Sequence, residues 1–588
     1  MSNPTTSDHH LRRGLEHEDE DYERTVQKLV DQDLDDWPND AGFEGLNEIR
    51  GPINLNVTGS IPSWAAGSLY RTGPGQYTVE DTPLGTYRSS HWFDGFGHSH
   101  KFQIIPNDLE PDGPVRVEYS SRRQTEGLVN EIKSTGQRPT ITFGQRQDIC
   151  VGIFSKVMSV WRVATRPFPA NIENIAVTVQ GAVPGLPPTK RAQPLESGHQ
   201  STTKAMWLGT DNSILKSFDE NTMETLDCEP HTTLHPLLKG PLSCAHSQRD
   251  PETGDYFNYN LQFSRVSTYR IFRSNASSGT TDILATISQA DVKPAYIHSF
   301  FLSQNYVILC IPSTHIRTMG LSIPWNRSIV DALEPFKEKN LCKWFVVDRR
   351  GNKGVVAQFE TPAGFYFHSV NAFDKVDDST GATDVFCDLL EYPNTDVIKS
   401  YEIDILMGKN GMGRSFWGDE SRARNAQARL ARYKLSIPRG HRHRAGGAAY
   451  PKAEKMFAIK APHVGELPTI NPGFASRGYR YVYSLPNRGH STLLDSIAKT
   501  DVETRETIYW DNPQGHTPGE AIFVPRPRAA EGGEPPAEDD GVLLSIVLDG
   551  HGKTSYLVCL DARTMKEVGK AECGWAIGFG FHGIHMPA

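Results

Sequence analysis

The sequence predicts an all-β protein closed into a ring, and three observations carry that prediction. From Leu69 to the end of the 588 residues, short apolar runs alternate with Gly, Pro, Asn and Asp turns, with few helical interruptions. Four segments share one form, an apolar strand, a charged turn and a second strand: 214–226 (ILKSFDENTMETL), 269–287, 344–359 (WFVVDRRGNKGVVAQF) and 556–571 (YLVCLDARTMKEVGKA). Four histidines in apolar or Gly-rich surroundings lie 52, 70 and 214 residues apart, too far for one helix or hairpin to gather. Hairpins of that kind suit the outer strands of propeller blades, each needing neighbours to bury its faces. The repeat is too degenerate to count blades, and an array of β-sandwiches is the alternative.

Taken in order, residues 1–40 read as an acidic, disordered lead with at most a short helix over 21–30. Residues 11–40 hold eleven acids against four bases, so most of the net charge of −9 sits there and the body is nearly neutral. That balance gives no reason to expect nucleic acid or a cationic substrate. A single folded domain is expected over 41–588. No stretch approaches the roughly 20 apolar residues of a membrane span, and the N-terminus lacks a signal-peptide core, so a cytoplasmic protein is expected. Eight scattered cysteines without a CxxC pair read as reduced, mostly buried thiols.

Two stretches break the β pattern. Residues 150–167 place Ile153, Val157 and Trp161 at helical spacing with bases among them. Residues 415–432 also read as helical, with Arg422, Arg429 and Arg432 on one side; a solvated basic face is preferred there to a nucleic-acid site. A third stretch, 316–329 (IRTMGLSIPWNRSI), offers Met319, Leu321 and Trp325 in a Pro/Gly context unsuited to a core strand, which suggests a lipid or ligand contact.

The histidines are His246 in SCAHS, His298 in KPAYIHSFFLSQNYVIL, His368 in FYFHSVNA and His582 in GFGFHG. In the second of these, Tyr296, His298 and Phe300 alternate onto one face of a buried strand, followed by a turn at 303–305. Inner strands of successive blades run toward one axis, so four imidazoles can converge there. Neutral nitrogen donors suit a borderline divalent metal with open positions, and the lack of thiolates argues against structural zinc. His98 and His100, at i and i+2, and the local pairs His441/His443 and His582/His585 are weaker candidates.

The chain resembles the carotenoid cleavage oxygenase family from about residue 45 onward. The likeness rests on LYRTGPGQY (69–77), HWFDGFGHSHKF (91–102), FGQRQDIC (143–150), the four histidine motifs, PGEAIFVPRP (518–527), EDDGVLLSIVLD (538–549) and GFHG (580–583). The resemblance implies a seven-bladed β-propeller with a helical and loop cap over the metal-bearing face, and Fe2+ on the axis held by His246, His298, His368 and His582. It also implies carboxylates behind three of those imidazoles, fixing tautomer and ring plane. Glu466 and Glu520 match two of these positions; the third falls on Asp211 where the family has Glu, one methylene longer.

The implied reaction is scission of a conjugated C=C bond by O2 into two carbonyls, with no catalytic residue beyond the metal ligands. Stilbene-cleaving members resemble one another in a Tyr and a Lys that bind the phenol. Here the first position is Phe143 and the lysine region reads NIENIA (171–176), so a phenol would be left unpaired, at a cost of about 1–3 kcal/mol. A carotenoid or apocarotenoid is favoured, torulene first, as in filamentous-fungal members, with β-carotene cleavage to retinal and resveratrol-type cleavage as alternatives. A polyene carrier without chemistry and an isomerohydrolase are the other classes. A bilayer-dwelling substrate implies a peripheral membrane contact, for which Ile153, Val157, Trp161, Met319, Leu321 and Trp325 are the candidates.

Overall fold

Seven antiparallel sheets follow one another along the chain and close into a β-propeller. The structure is a computed structural model describing residues 11–107, 113–146, 169–186, 205–440, 450–528 and 536–588. From the axis outward, the first blade is Gly583–Pro587, Gly67–Gln76, Phe96–Ile105, Arg116–Arg123 and Ile53–Asn54. Blade two is Thr178–Gln180, Ala205–Gly209, Ile214–Asp219 and Thr225–Pro230; blade three is Gln248–Arg249, Tyr256–Gln262, Thr268–Ser274 and Thr281–Ile287. Blades four and five begin at Phe301–Leu302 and Phe365–Val376, and blade six at Glu466–Thr469. In blade seven, His516–Pro518 and Ile522–Pro525 both pair with Gly541–Asp549.

The ring is sewn shut twice. The C-terminal strand Gly583–Pro587 pairs with Gly67–Gln76 on the inside of blade one, and Asn56–Gly59 pairs with Glu567–Glu572 on the outside of blade seven. Each of these two strands thus covers a sheet edge that would otherwise stand open. All four hairpins read from the sequence are outer strand pairs, in blades two, three, four and seven. The tips of their turns are exposed, at Asn221, Asn352, Lys353 and Arg563 for example, while Phe218, Phe272, Val346 and Leu557 on the strands are buried in apolar clusters.

Three expectations are corrected. The acidic lead is ordered from residue 11: Arg12–Arg13 pairs with Ile508 and Thr507 on the edge of blade six, and Glu18–Asp31 is a helix burying Tyr22, Val26 and Leu29. Its acids meet partners on the body (Asp19–Lys460, Asp21–His463, Glu23–Arg424), so part of the segment's charge is compensated where it docks. Composition shows the charge but not its partners. Second, 415–432 is not one helix: Met412–Trp417 and Glu420–Asn425 are short helices, and Arg429–Ile437 is a strand of blade five. Arg422 therefore shares no face with Arg429 and Arg432, and the Arg432 guanidinium grips the fully buried Asp388 through two bonds of 2.7–2.8 Å. Third, the ladder around His298 starts only at Phe301, though the turn at 303–305 and the strand Tyr306–Ile311 are as expected.

Short helices interrupt the strands, and Val397 and Ile398 of Asp396–Ser400, Ile403 and Leu406 of Ile403–Leu406 and Ile323 of Ser322–Asn326 join the cluster that includes Trp92, Phe367 and Phe581. Among the described residues no helix is long and apolar enough to cross a membrane. Six of the seven described cysteines are buried and all seven are free. Residues 150–167, with Ile153, Val157 and Trp161, and His441 and His443 lie outside the described residues.

Candidate metal centre

Every blade sends one residue to the axis. His582 comes from blade one, immediately before its innermost strand; Asp211 from a turn of blade two; His246 and His298 from just ahead of the inner strands of blades three and four. His368 lies within the inner strand of blade five, Glu466 begins that of blade six, and Glu520 sits between the two inner strands of blade seven. Only His368 lies inside an assigned strand, and there at a register shift between Tyr366 and Ser369. The other three histidines occupy irregular backbone at strand entrances, where release from the ladder lets a side chain turn toward the axis.

The ring nitrogens of His246, His298, His368 and His582 fall within 4.8 Å of one another. His368 Nε2 and His582 Nε2 are 3.3 Å apart, the spacing of two donors about 2.1–2.3 Å from one shared cation. Carboxylates occupy the far side of three rings. His298 Nδ1 donates to Asp211 at 2.9 Å, His582 Nδ1 to Glu520 at 2.7 Å, and His368 Nδ1 to Glu466. The carboxylates therefore select the tautomer that leaves Nε2 bare. His246 Nε2 is buried without any hydrogen-bond partner, an orphaned nitrogen donor whose chemistry fits a cation.

Electrostatics favour neutral donors. Burial, then the three other imidazoles, holds His246 far below the ordinary histidine range, and burial lowers His582 to about 4 against the pull of Glu520. Burial alone would raise Glu466 and Glu520, but their histidines and further donors outweigh it and hold both below the usual carboxylate range. Those donors were not read from the sequence. Tyr296 Oη donates to Asp211 at 2.8 Å, Tyr392 Oη donates to Glu466, and Arg71 Nη1 donates to Glu520 at 2.8 Å. Tyr296 alone had a local signal, its i−2 relation to His298; Tyr392 and Arg71 arrive from distant strands.

Beside the histidines lies a narrow cavity of about 60 Å³, walled by Trp92, Phe93, Phe143, Phe367, Tyr401 and Phe581 among others. Phe93 is the hub, with ring centroids 5.0–5.6 Å from Phe143, Phe581, Tyr401 and Phe367. Phe143 is fixed from behind, its N–H and that of Gly144 each donating to Asp94 at 2.7 Å. No lysine is among the described lining residues. In the 171–176 segment Asn174 binds the backbone of Gly95 and Gly97, and Glu173 O accepts from the buried Lys216.

His98 and His100 lie elsewhere, buried in Phe96–Ile105 with ring centroids 4.3 Å apart, and His100 Nδ1 meets Tyr119 Oη at 2.8 Å. His585 contacts the carbonyl of Ala65. Met319, Leu321 and Trp325 are 49%, 57% and 43% exposed on one short helical loop made of Arg317–Gly320 and Ser322–Asn326; none of them lines the cavity, but the chain beyond joins its wall, since Val330 N donates to Phe143 O.

Residues 42–587 match the family described as retinal pigment epithelial membrane protein. A carotenoid dioxygenase of Neurospora crassa is 47% identical over 97% of this chain and 94% of that protein. A torulene dioxygenase of Gibberella fujikuroi is 46% identical over 98% of each. Among solved structures, a variant of the Synechocystis apocarotenoid oxygenase has a TM-score of 0.67 at 20% identity, covering 96% of this chain and 99% of that one, a likeness of fold.

Proposed function

The chain belongs to the retinal pigment epithelial membrane protein family, the carotenoid oxygenases, and from that premise we propose that it is an Fe(II) dioxygenase cleaving a C=C bond of a carotenoid, torulene in the first place, to an apocarotenal. The observation that carries this reading is the convergence of four imidazoles with bare Nε2 atoms beside an aromatic cavity. His246, His298, His368 and His582 would hold ferrous iron, which supplies the binding and activation of O2.

The remaining work belongs to the chain. The reaction joins one C=C bond and one O2 into two C=O groups, so no net proton is gained or lost and no acid or base is required. Phe93, Phe143, Phe367 and Phe581 offer apolar faces to a polyene and hold one double bond near the histidines, while the same walls keep water out. Asp211, Glu466 and Glu520 fix the ring planes, so the donors need no reordering when the site is filled. A stilbene phenol would find Phe143 and no lysine among the described lining residues, which favours the carotenoid. Met319, Leu321 and Trp325 would rest on a membrane from which the polyene is drawn.

Incubating iron-loaded protein with torulene, β-carotene and resveratrol, followed by mass identification of the aldehydes, tests the assignment. Torulene cleavage is expected to dominate. Retinal as the main product would move the assignment to β-carotene, and resveratrol cleavage with inert carotenoids would overturn it. A protein that binds polyene but takes up no iron would be a carrier.

A further inference from the structure

Three carboxylates stand behind the four imidazoles, and among the described residues only one of them meets a cation. Asp211 and Glu466 accept from the neutral hydroxyls of Tyr296 and Tyr392. Glu520 instead accepts from Arg71 at 2.8 Å, with side chains only 3% and 6% exposed. The path of that guanidinium is cleared by glycines. A Cβ on Gly519 would stand 2.9 Å from Arg71 Nη2, and one on Gly580 would stand 2.9 Å from Nε. A third on Gly583 would lie 2.7 Å from Tyr70 O and 3.2 Å from Arg71 Cδ. The glycines of PGE and GFHG thus make room for one buried arginine.

At ordinary charges, three carboxylates and one guanidinium leave two negative charges on the axis, and neutral imidazoles add none. A divalent ion cancels them; a trivalent ion leaves one positive charge uncompensated. Inside a buried site such an imbalance is poorly screened. We infer that Arg71 sets the charge balance that keeps the ion of this centre divalent, acting through Glu520 as a positioning and redox-tuning residue. The inference rests on the iron reading above. Without the guanidinium charge, a ferrous centre carries one negative charge and a ferric centre none, so oxidation becomes easier. Without the charge of Glu520, both states gain a positive charge and oxidation becomes harder.

The test is a potential titration of anaerobically iron-loaded protein, in which Fe(II) gives up one electron to the electrode and the ferric signal is followed by electron paramagnetic resonance. Co2+ uptake, measured separately, establishes that each variant still holds a metal. Arg71→Met is expected to raise the ferric-to-ferrous ratio at fixed potential at least tenfold, a downward shift of about 59 mV or more for one electron. Glu520→Gln is expected to move the ratio tenfold the other way, Arg71→Lys to stay near the parent, and Arg71→Met with Glu520→Gln to return toward it. Should Arg71→Met hold no Co2+, Glu520→Gln decides alone. Unchanged ratios, equal shifts in one direction, or a double variant as displaced as Arg71→Met would overturn the inference. A parent protein that cleaves carotenoid while its variants fail to shift would sink this inference alone, whereas a parent that takes up neither Fe2+ nor Co2+ would sink the iron reading beneath it.

Discussion

Asp211 reaches His298 directly, Oδ2 to Nδ1 at 2.9 Å, although its side chain is one methylene shorter than a glutamate. The reach is made up by the backbone. Ser243 N donates to Asp211 O at 3.0 Å and Ala245 N to Asp211 Oδ1 at 3.1 Å. Cys244 Sγ donates to His298 O at 2.8 Å, so one three-residue segment ties both partners together. Asp211→Asn removes the charge that favours a bare Nε2 and is expected to lower Co2+ affinity about 10–100-fold in chelator competition. Asp211→Glu must fit an extra methylene into this staple and is expected to lower the thermal midpoint without improving affinity. Parent-like affinity in Asp211→Asn would show that the contact does not orient the ring.

The four ligand positions could be read from the sequence because each histidine stands in an apolar or Gly-rich run where a polar ring is costly, and because known motifs framed them. Glu466 and Glu520 came from those motifs as well. Tyr392 and Arg71 could not be found that way, since their partners are 74 and 449 residues distant; Arg71 stands within LYRTGPGQY, but that motif does not say what its guanidinium binds. The hairpins were legible from strand–turn–strand patterning. The Glu18–Asp31 helix was obscured because its acids look solvated until the bases of blades five and six stand opposite them. Arg429 and Arg432 were misplaced because arginines at helical spacing also fit a strand, here one whose Arg432 lies along the buried Asp388.

His231, far from the metal centre, supplies a clean pH dependence. It is 1% exposed with its ring edge-on to Phe272, and burial lowers its pKa to about 3. The unfolded chain, near 6.5, takes up this proton first, so the contribution to stability is complete above pH 6.5 and is lost as pH falls toward 3. Each group of this kind adds a slope of about 1.4 kcal/mol per pH unit. His231→Phe is expected to lose less of its thermal midpoint between pH 7 and pH 5 than the parent. Parallel losses would assign the acid sensitivity elsewhere.

The N-terminal helix is held by a buried triad. Asp21 accepts from Arg13 at 2.8 Å and lies 2.9 Å from His463 Nε2, which is fully buried. Burial pushes the Asp21 carboxyl up, but His463 and Arg13 outweigh it and hold it well below the usual range. The stabilisation is thus present above about pH 4 and is lost as the carboxyl titrates below it. Asp21→Ala strands two bases and is expected to cost on the order of 3 kcal/mol, read as a lower thermal midpoint at pH 7. Because Tyr22, Val26 and Leu29 pack in one cluster with Phe416 and Trp417, tryptophan emission should shift as the helix loosens. An unchanged midpoint would show that the helix is held by its apolar face alone.

The loop carrying Met319, Leu321 and Trp325 presents three large apolar side chains within seven residues, a density that water disfavours. Ile323 on the same loop is buried in the cluster that includes the cavity walls, so outward and inward faces are fixed together. Each exposed side chain moved into lipid is worth about 1.5–3 kcal/mol, and two charges in their place would cost more. Leu321→Glu with Trp325→Glu is therefore expected to weaken binding to liposomes at least tenfold in co-sedimentation. The same pair should slow cleavage of a polyene embedded in those liposomes far more than cleavage of the polyene in detergent micelles, as the proposed membrane contact requires. Equal losses in both carriers would place these residues in the cavity's own integrity instead, and unchanged liposome binding would move the membrane contact away from this loop.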